Sequence, residues 1–231
     1  MKYFFGSALL MLAALSAQGQ TTQGTTLLGG NLGFNKSSAE ASGQVAGVPQ
    51  PRLESKQRTG QMSLSGGYFI RDNWAVGLGV SLSSTRAEQP YHAYTSSGAL
   101  TIFESVSLRK SVGAAPFVRY YYMLGEKAGF YGQLSAGYSH ERITTDNTNP
   151  NSYTYHTKSD IGYVNLTPAF VYFPTKKVGL EARLGYVGYD HSTNRTENAT
   201  GLEAIKTTSS NFTATFGISS FSLGASLYLG R

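Results

Sequence analysis

The chain has 231 residues, of which 40% are hydrophobic and only 14% charged, with 19 Lys and Arg against 13 Asp and Glu and no Cys. That length suits one large domain or one barrel, and the missing Cys excludes disulfides, a thiolate nucleophile, a Cys-based zinc site and a lipobox lipid anchor. The charge is well below the roughly 25% of an ordinary soluble domain, and its Lys and Arg form no run suited to nucleic acid.

Residues 1–19 read as a cleaved signal peptide. Lys2 is a short positive n-region, Phe4 to Leu15 an apolar core too short to span a bilayer, and Ala17-Gln18-Gly19 a small-x-small cleavage site. Gln20 is the expected mature N-terminus and residues 20–231 the single mature domain. Without Lys2 that domain carries 18 basic and 13 acidic residues, a net charge of +5. No later stretch approaches the ~20 consecutive apolar residues of a membrane helix.

The mature chain then alternates, segment after segment, with a period of two. Leu28, Gly30, Leu32 and Phe34 oppose Gly29, Asn31, Gly33 and Asn35, and Met62, Leu64, Gly66 and Tyr68 oppose Gln61, Ser63, Ser65 and Gly67. Trp74, Val76, Leu78, Val80 and Leu82 oppose Ala75, Gly77, Gly79 and Ser81. From Val106 to Tyr122 the even positions are apolar except for Lys110, which should lie outside any membrane band. Phe130 to Tyr138, Val164 to Tyr172, Val178 to Tyr186 and Phe221 to Leu229 repeat the scheme, giving eight segments. Short polar links at 70–73, 124–127 and 174–177 alternate with long polar stretches at Ser38 to Arg58, Ser84 to Ile102, His140 to Lys158 and His191 to Lys206. Short turns on one rim and long loops on the other describe an up-and-down barrel.

Which face looks outward follows from the small residues. A soluble barrel would leave an outer face of Gly, Ser and Ala, whereas a small membrane barrel turns the bulky apolar set to lipid and has interior room only for small or hydrogen-bonding side chains. The expected fold is therefore all-β: an eight-stranded antiparallel transmembrane β-barrel with short periplasmic turns and long extracellular loops. Tyr68, Trp74, Tyr120, Tyr122, Phe130, Tyr172 and Phe173 cluster near the short turns and are expected to form a membrane-interface girdle. Pro116 and Pro168 lie inside strands and should sit at bulges, since each removes a ladder donor. The parity change between Ile218 and Phe221 is read as one bulged strand over Thr207 to Leu229, because two strands would make nine.

The segments "RDNWAVGLGVSL", "APFVRYYYML", "GFYGQLSAGYSH", "KVGLEARLGY" and "FSLGASLYL" resemble the small outer-membrane β-barrel domain family of Gram-negative bacteria, the OmpX-like and OmpA-type barrels. The last segment looks like their assembly signal, carried by Ser222, Gly224, Leu227 and Leu229, although the chain finishes on Leu229-Gly230-Arg231 where family members commonly finish on an aromatic. The resemblance implies outer-membrane localisation, contact with outer-membrane lipid and lipopolysaccharide, and a passage through the barrel assembly machinery. It also implies several unrelated roles, including adhesion, lipid A modification and passive conduction, since fold does not fix function.

Chemistry-bearing residues are few. His92, His140, His156 and His191 fall in or beside the long stretches. The lipid A deacylases separate their His and Ser by one residue, whereas His191 and Ser192 are adjacent and point to opposite faces. His140-Glu141 and Asp190-His191 lack the spacing of a metal site, and the sequons at Asn194, Asn198 and Asn211 read as polar loop residues. Arg119, Glu181, Arg183, Gln133, Asn31 and Asn165 share the inward parity, and buried charges must be paired, so Glu181 is expected to bond one or both Arg. The resulting expectation is a non-enzymatic, monomeric barrel without cofactor or metal, its polar lumen plugged, with a structural or surface-interaction role and an unidentified ligand on the long loops. The alternatives are a porin-like solute conduit, a lipid-A-modifying rim enzyme and a secreted soluble ligand-binding barrel.

Overall fold

The structure is a computed structural model and describes residues 20–42, 44–45, 48–49, 51–95, 98, 100–149, 154–197, 203–217 and 222–230. The signal peptide expected over residues 1–19, the Asn198 sequon and the parity change between Ile218 and Phe221 lie outside the described residues.

The chain is built of β-strands: β1 (Thr26–Ala41), β2 (Gln44–Val45), β3 (Val48–Pro49), β4 (Leu53–Arg71), β5 (Trp74–Tyr94), β6 (Leu100–Met123), β7 (Ala128–Asn147), β8 (Tyr155–Thr175), β9 (Val178–Arg183), β10 (Gly185–Glu197), β11 (Glu203–Phe216) and β12 (Ser222–Leu229). β2 and β3 make a separate small hairpin on the connection between β1 and β4. The others form one antiparallel ring. β9 and β10 are two halves of one stave, both lying against β8, and β12 and β11 are two halves of the next, lying against β9 and β10 respectively. β12 returns to β1 and closes a barrel of eight staves. Above the Gly30 and Ala225 pair, β1 is bonded only to β4 and β11 only to β10 among the described residues.

Alternation sets the faces. Leu64, Leu78 and Leu134 on the outside are each about half exposed, at 54%, 52% and 51%, while Ser63, Ser65, Gly79 and Ser81 of the opposite parity line the lumen. A continuous wall of this kind far exceeds the apolar patch that water tolerates on a monomer, so its solvent is hydrocarbon. Inside, the fit is close. A Cβ at Gly77 would meet the Gly66 carbonyl, the Phe117 ring and the Gly67 Cα, so only hydrogen fits there.

Several features differ from the sequence reading. The long stretches taken as loops are mostly paired strand: β5 and β6 stay in register to Tyr94 and Leu100, and β7 and β8 to Thr145 and Tyr155. Their inner faces hold together by hydroxyl pairs such as Thr59 with Thr85 at 3.1 Å and Ser107 with Thr145 at 2.9 Å. An apolar count is blind to strands whose two faces are both polar. Pro116 sits at no bulge, because β5 and β6 pass it without a register shift; it merely interrupts the pairing with β7 between Ala114 and Phe117. At Pro168 the extra residue is on the facing stave. There the register with β8 shifts by one between Arg183 and Val187, across Leu184 and Gly185, so that Tyr189 and His191 above the shift face outward. Phe173 does not belong to the girdle: it is 1% exposed, points inward and packs on Tyr228 at 4.9 Å between ring centroids. Its parity is that of the lumen, and adjacency to Tyr172 conceals this in the sequence. The described parts of Thr207 to Leu229, in β11 and β12, lie along one stave, against β10 and β9 respectively.

A closed barrel in which every lower stave is bonded on both sides has no edge at which to unravel. The refolded protein is expected to resist SDS in the cold, run as a compact species on a gel, and shift to its full chain mass only after boiling. A protein that stays soluble without detergent and shows no such shift would contradict the outward placement of the apolar face.

Candidate functional site

The interior is layered, and the layers begin at the short-turn end. Thr25 and Phe69 bond backbone to backbone, with the Phe69 N–H donating to the Thr25 carbonyl at 2.9 Å, and the Asn73 N–H donates to the Thr21 carbonyl at 2.7 Å. The segment Gln20 to Thr25 is thereby tied to the β4–β5 turn, with Thr21 and Thr25 buried. Asn73 holds that turn at a φ of 65°, a conformation that Asn tolerates better than most residues. Above it lies an aromatic floor. Phe69, Tyr121, Tyr131, Phe173 and Tyr228 point inward from five staves, with Phe69 and Tyr121 5.4 Å and Tyr121 and Tyr131 5.3 Å apart between centroids.

The ionic layer rests on this floor. Arg119 and Glu181 are each 1% exposed. The Arg119 Nη1 donates to Glu181 Oε1 at 2.8 Å and to Tyr121 Oη at 2.9 Å, while Nε and Nη2 donate to Gln133 Oε1 at 3.0 and 2.7 Å. Glu181 is saturated: Ser226 Oγ donates to Oε1 and Tyr131 Oη to Oε2, both at 2.6 Å, and Arg183 Nη2 adds a longer bond to Oε2 at 3.3 Å. The guanidinium also lies over the Tyr131 ring at 4.2 Å from its centroid, and Tyr121 and Tyr228 share a bond of 2.9 Å. A buried ion pair is stable only when its spare lone pairs and protons are used in this way.

Of the six residues that shared inward parity in the sequence, four, Arg119, Gln133, Glu181 and Arg183, meet in this layer. Asn31 and Asn165 do not join it; they line a cavity of about 340 Å³ above it, where the Asn31 Oδ1 has no hydrogen-bond partner. Sequence reasoning missed Tyr121, Tyr131, Tyr228 and Ser226. The signal was present in the three Tyr: they break the run of small inward residues at the same end of their staves. The girdle residues other than Phe173 (Tyr68, Trp74, Tyr120, Tyr122, Phe130 and Tyr172) face outward and are at least two fifths exposed, with the Trp74 and Tyr120 rings tilted against each other on adjacent staves at 4.8 Å between centroids. Ser222, Gly224, Leu227 and Leu229 lie on β12, Leu227 and Leu229 outward.

The opposite rim holds the titratable groups. Asp160 accepts from His140 Nδ1 at 2.8 Å, from Arg195 at 3.1 Å and from Tyr138. Lys158 bonds Glu197 at 2.7 Å and holds that carboxyl below the ordinary range. His191 shares a bond with Ser210 at 2.9 Å, while Ser192 turns inward to Ser209 at 2.8 Å. Among the described residues no group of three or more His, Asp or Glu is arranged to hold a metal.

A family model described as outer membrane protein beta-barrel domain matches residues 5–216. The chain belongs to that family. Its fold and its place in the outer membrane follow, and the apolar wall is the one that meets lipid. Among solved structures the barrel is similar to the attachment invasion locus protein Ail of Yersinia pestis (12% identity, TM-score 0.33, 90% of this chain and 100% of that one). It is also similar to a major outer membrane protein of Thermus thermophilus (15% identity, TM-score 0.42, 89% and 98%) and to the translocator domain of the autotransporter NalP of Neisseria meningitidis (10% identity, TM-score 0.33, 97% and 93%). A search of curated proteins returned no match.

Proposed function

We propose that this outer-membrane barrel is a non-enzymatic structural or surface-interaction protein with a plugged lumen. The observation that carries this reading is the Arg119–Glu181 layer. Arg119 and Glu181 are buried, every guanidinium nitrogen of Arg119 and both carboxylate oxygens of Glu181 are bonded, and the pair rests on an aromatic floor that the Gln20 to Thr25 segment underlies. A hydrated ion meeting this pair finds both carboxylate oxygens of Glu181 and the Arg119 guanidinium already bonded, so the layer acts as a barrier rather than a filter. Arg119 and Arg183 are in the lining of the cavity above it.

The supporting relations are those of a resident membrane protein. The wall contacts outer-membrane lipid and lipopolysaccharide, the polar strand extensions present a surface for an unidentified ligand, and Ser222, Gly224, Leu227 and Leu229 meet the barrel assembly machinery after export by the N-terminal signal peptide. The protein acts as a monomer. Refolded protein in planar bilayers is expected to give no steady single-channel conductance in molar KCl. Steady openings at neutral pH would replace this reading by a solute conduit.

A further inference from the structure

Going up the outward face from the aromatic ring, the first Lys or Arg on each of five consecutive staves is Lys36 on β1, Arg58 on β4, Arg86 on β5, Lys110 on β6 and Arg142 on β7; Ser84 precedes Arg86, and His140, bonded to Asp160 at 2.8 Å, precedes Arg142. The register makes them neighbours. Lys36 faces Arg58, Arg58 faces Arg86, and Lys110 faces Arg142; Lys110 lies two residues from Leu108, the partner of Arg86. Like charges directly opposite in a sheet repel. Among the described residues only Arg86 forms a close ion pair, with Glu88 at 2.8 Å; the other four make none, although Arg58 and Arg142 lie within electrostatic reach of Glu88 and Glu197.

Their height is consistent. Arg58 and Lys110 lie ten residues along their strands from Tyr68 and Tyr120 of the girdle, and Arg86 and Arg142 twelve from Trp74 and Phe130. At about 3.3 Å per residue on strands tilted by about 40°, ten residues climb about 25 Å, the height of a barrel's apolar band. The arc therefore stands where the headgroups of the far leaflet begin. Between these cations the same outward wall is hollow: a groove of about 920 Å³ is lined by Phe34, Met62, Leu82, Leu108 and Val112, with Lys110 and Arg142 among its walls.

We propose that arc and groove together dock one phosphorylated lipid of that leaflet, its phosphates on Lys110, Arg142, Arg58 and Lys36 and an acyl chain along the groove. The charge is complementary, the level is that of lipid phosphate, and the apolar lining suits a chain that a free phosphate lacks. The site depends on the barrel's place in the membrane and not on whether the lumen is plugged, so bilayer conductance and lipid binding fail independently.

The test uses full-length protein refolded in detergent, with native mass spectrometry counting bound lipid during titration with bis-phosphorylated lipid A. K36Q/R58Q/K110Q/R142Q is expected to weaken binding at least tenfold, and the charge-conserving K36R/R58K/K110R/R142K to keep it. K127Q/K176Q/K177Q, which removes three cations at the short turns, should bind as wild type; each variant is first checked for the heat-dependent gel shift. Lipid A stripped of both phosphates should lose affinity, and inorganic phosphate at millimolar levels should not compete. The proposal is overturned if the quadruple Gln variant, once folded, binds as wild type, if the turn variant loses as much, if dephosphorylated lipid A binds equally, or if inorganic phosphate alone displaces the lipid.

Discussion

Replacing Glu181 by Ala is expected to lower the barrel's unfolding free energy by about 3–5 kcal/mol, the cost of leaving one partner of a buried pair uncompensated, measured by urea titration of protein refolded in phospholipid vesicles. Glu181 accepts from Arg119, Ser226, Tyr131 and Arg183. Its removal strands the Arg119 charge among Tyr121, Tyr131 and Gln133, which can accept or stack but cannot neutralise it. Two further variants separate charge from packing. Glu181→Gln keeps a side-chain carbonyl for Arg119 and should lose less than Ala. The pair Arg119→Met with Glu181→Leu removes both charges and should return to within about 2 kcal/mol of wild type, because well-packed apolar replacements of buried pairs are often neutral. If Glu181→Ala unfolds at the wild-type urea concentration, water reaches the layer and the barrier argument for a plugged lumen loses its foundation.

How much of this was legible beforehand differs from layer to layer. The membrane half of each stave was readable because its two faces differ: Leu78 and Val80 against Gly77 and Gly79 leave one reading of inside and outside. The polar half was not, since a strand such as 85–94 carries Thr, Gln, Tyr and His on both faces and only the cross-strand partners reveal it as paired. Arg119, Glu181 and Arg183 could be collected by parity, as a charge inside a barrel must find its opposite. The floor escaped because Tyr121 and Tyr228 stand beside girdle residues of similar type, and only their opposite parity marks them as inward. The basic arc escaped for a related reason. Arg58, Arg86 and Lys110 are separated by more than twenty residues in the chain, and their adjacency exists only in the ladder. The ions on which the barrier rests were thus readable by parity, whereas those of the lipid site are brought together by register alone.

The second large effect is expected at Gly185, where Ala should cost about 2–6 kcal/mol in the same urea measurement. Two causes add. Gly185 holds φ at 125°, a conformation that strains a residue with a Cβ by about 1–3 kcal/mol, and the added Cβ would run into the Thr215 carbonyl of the neighbouring stave, an overpacking cost of about 1–3 kcal/mol. Gly217 isolates the first cause. Its φ is 143° but a Cβ there would meet nothing within 4 Å, so Gly217→Ala should lose only the strain and fall clearly short of Gly185→Ala. The position matters beyond its own energy, because the shift at Leu184 and Gly185 lets one stave keep Glu181 and Arg183 facing the lumen below while Tyr189 and His191 face outward above. A straight stave without the shift would turn one of those sets to the wrong side, since a slip of one residue exchanges the faces of a strand. Equal losses at Gly185 and Gly217 would mean that β10 and β11 separate to admit the methyl group, and that the bulge is held by the β8 side alone.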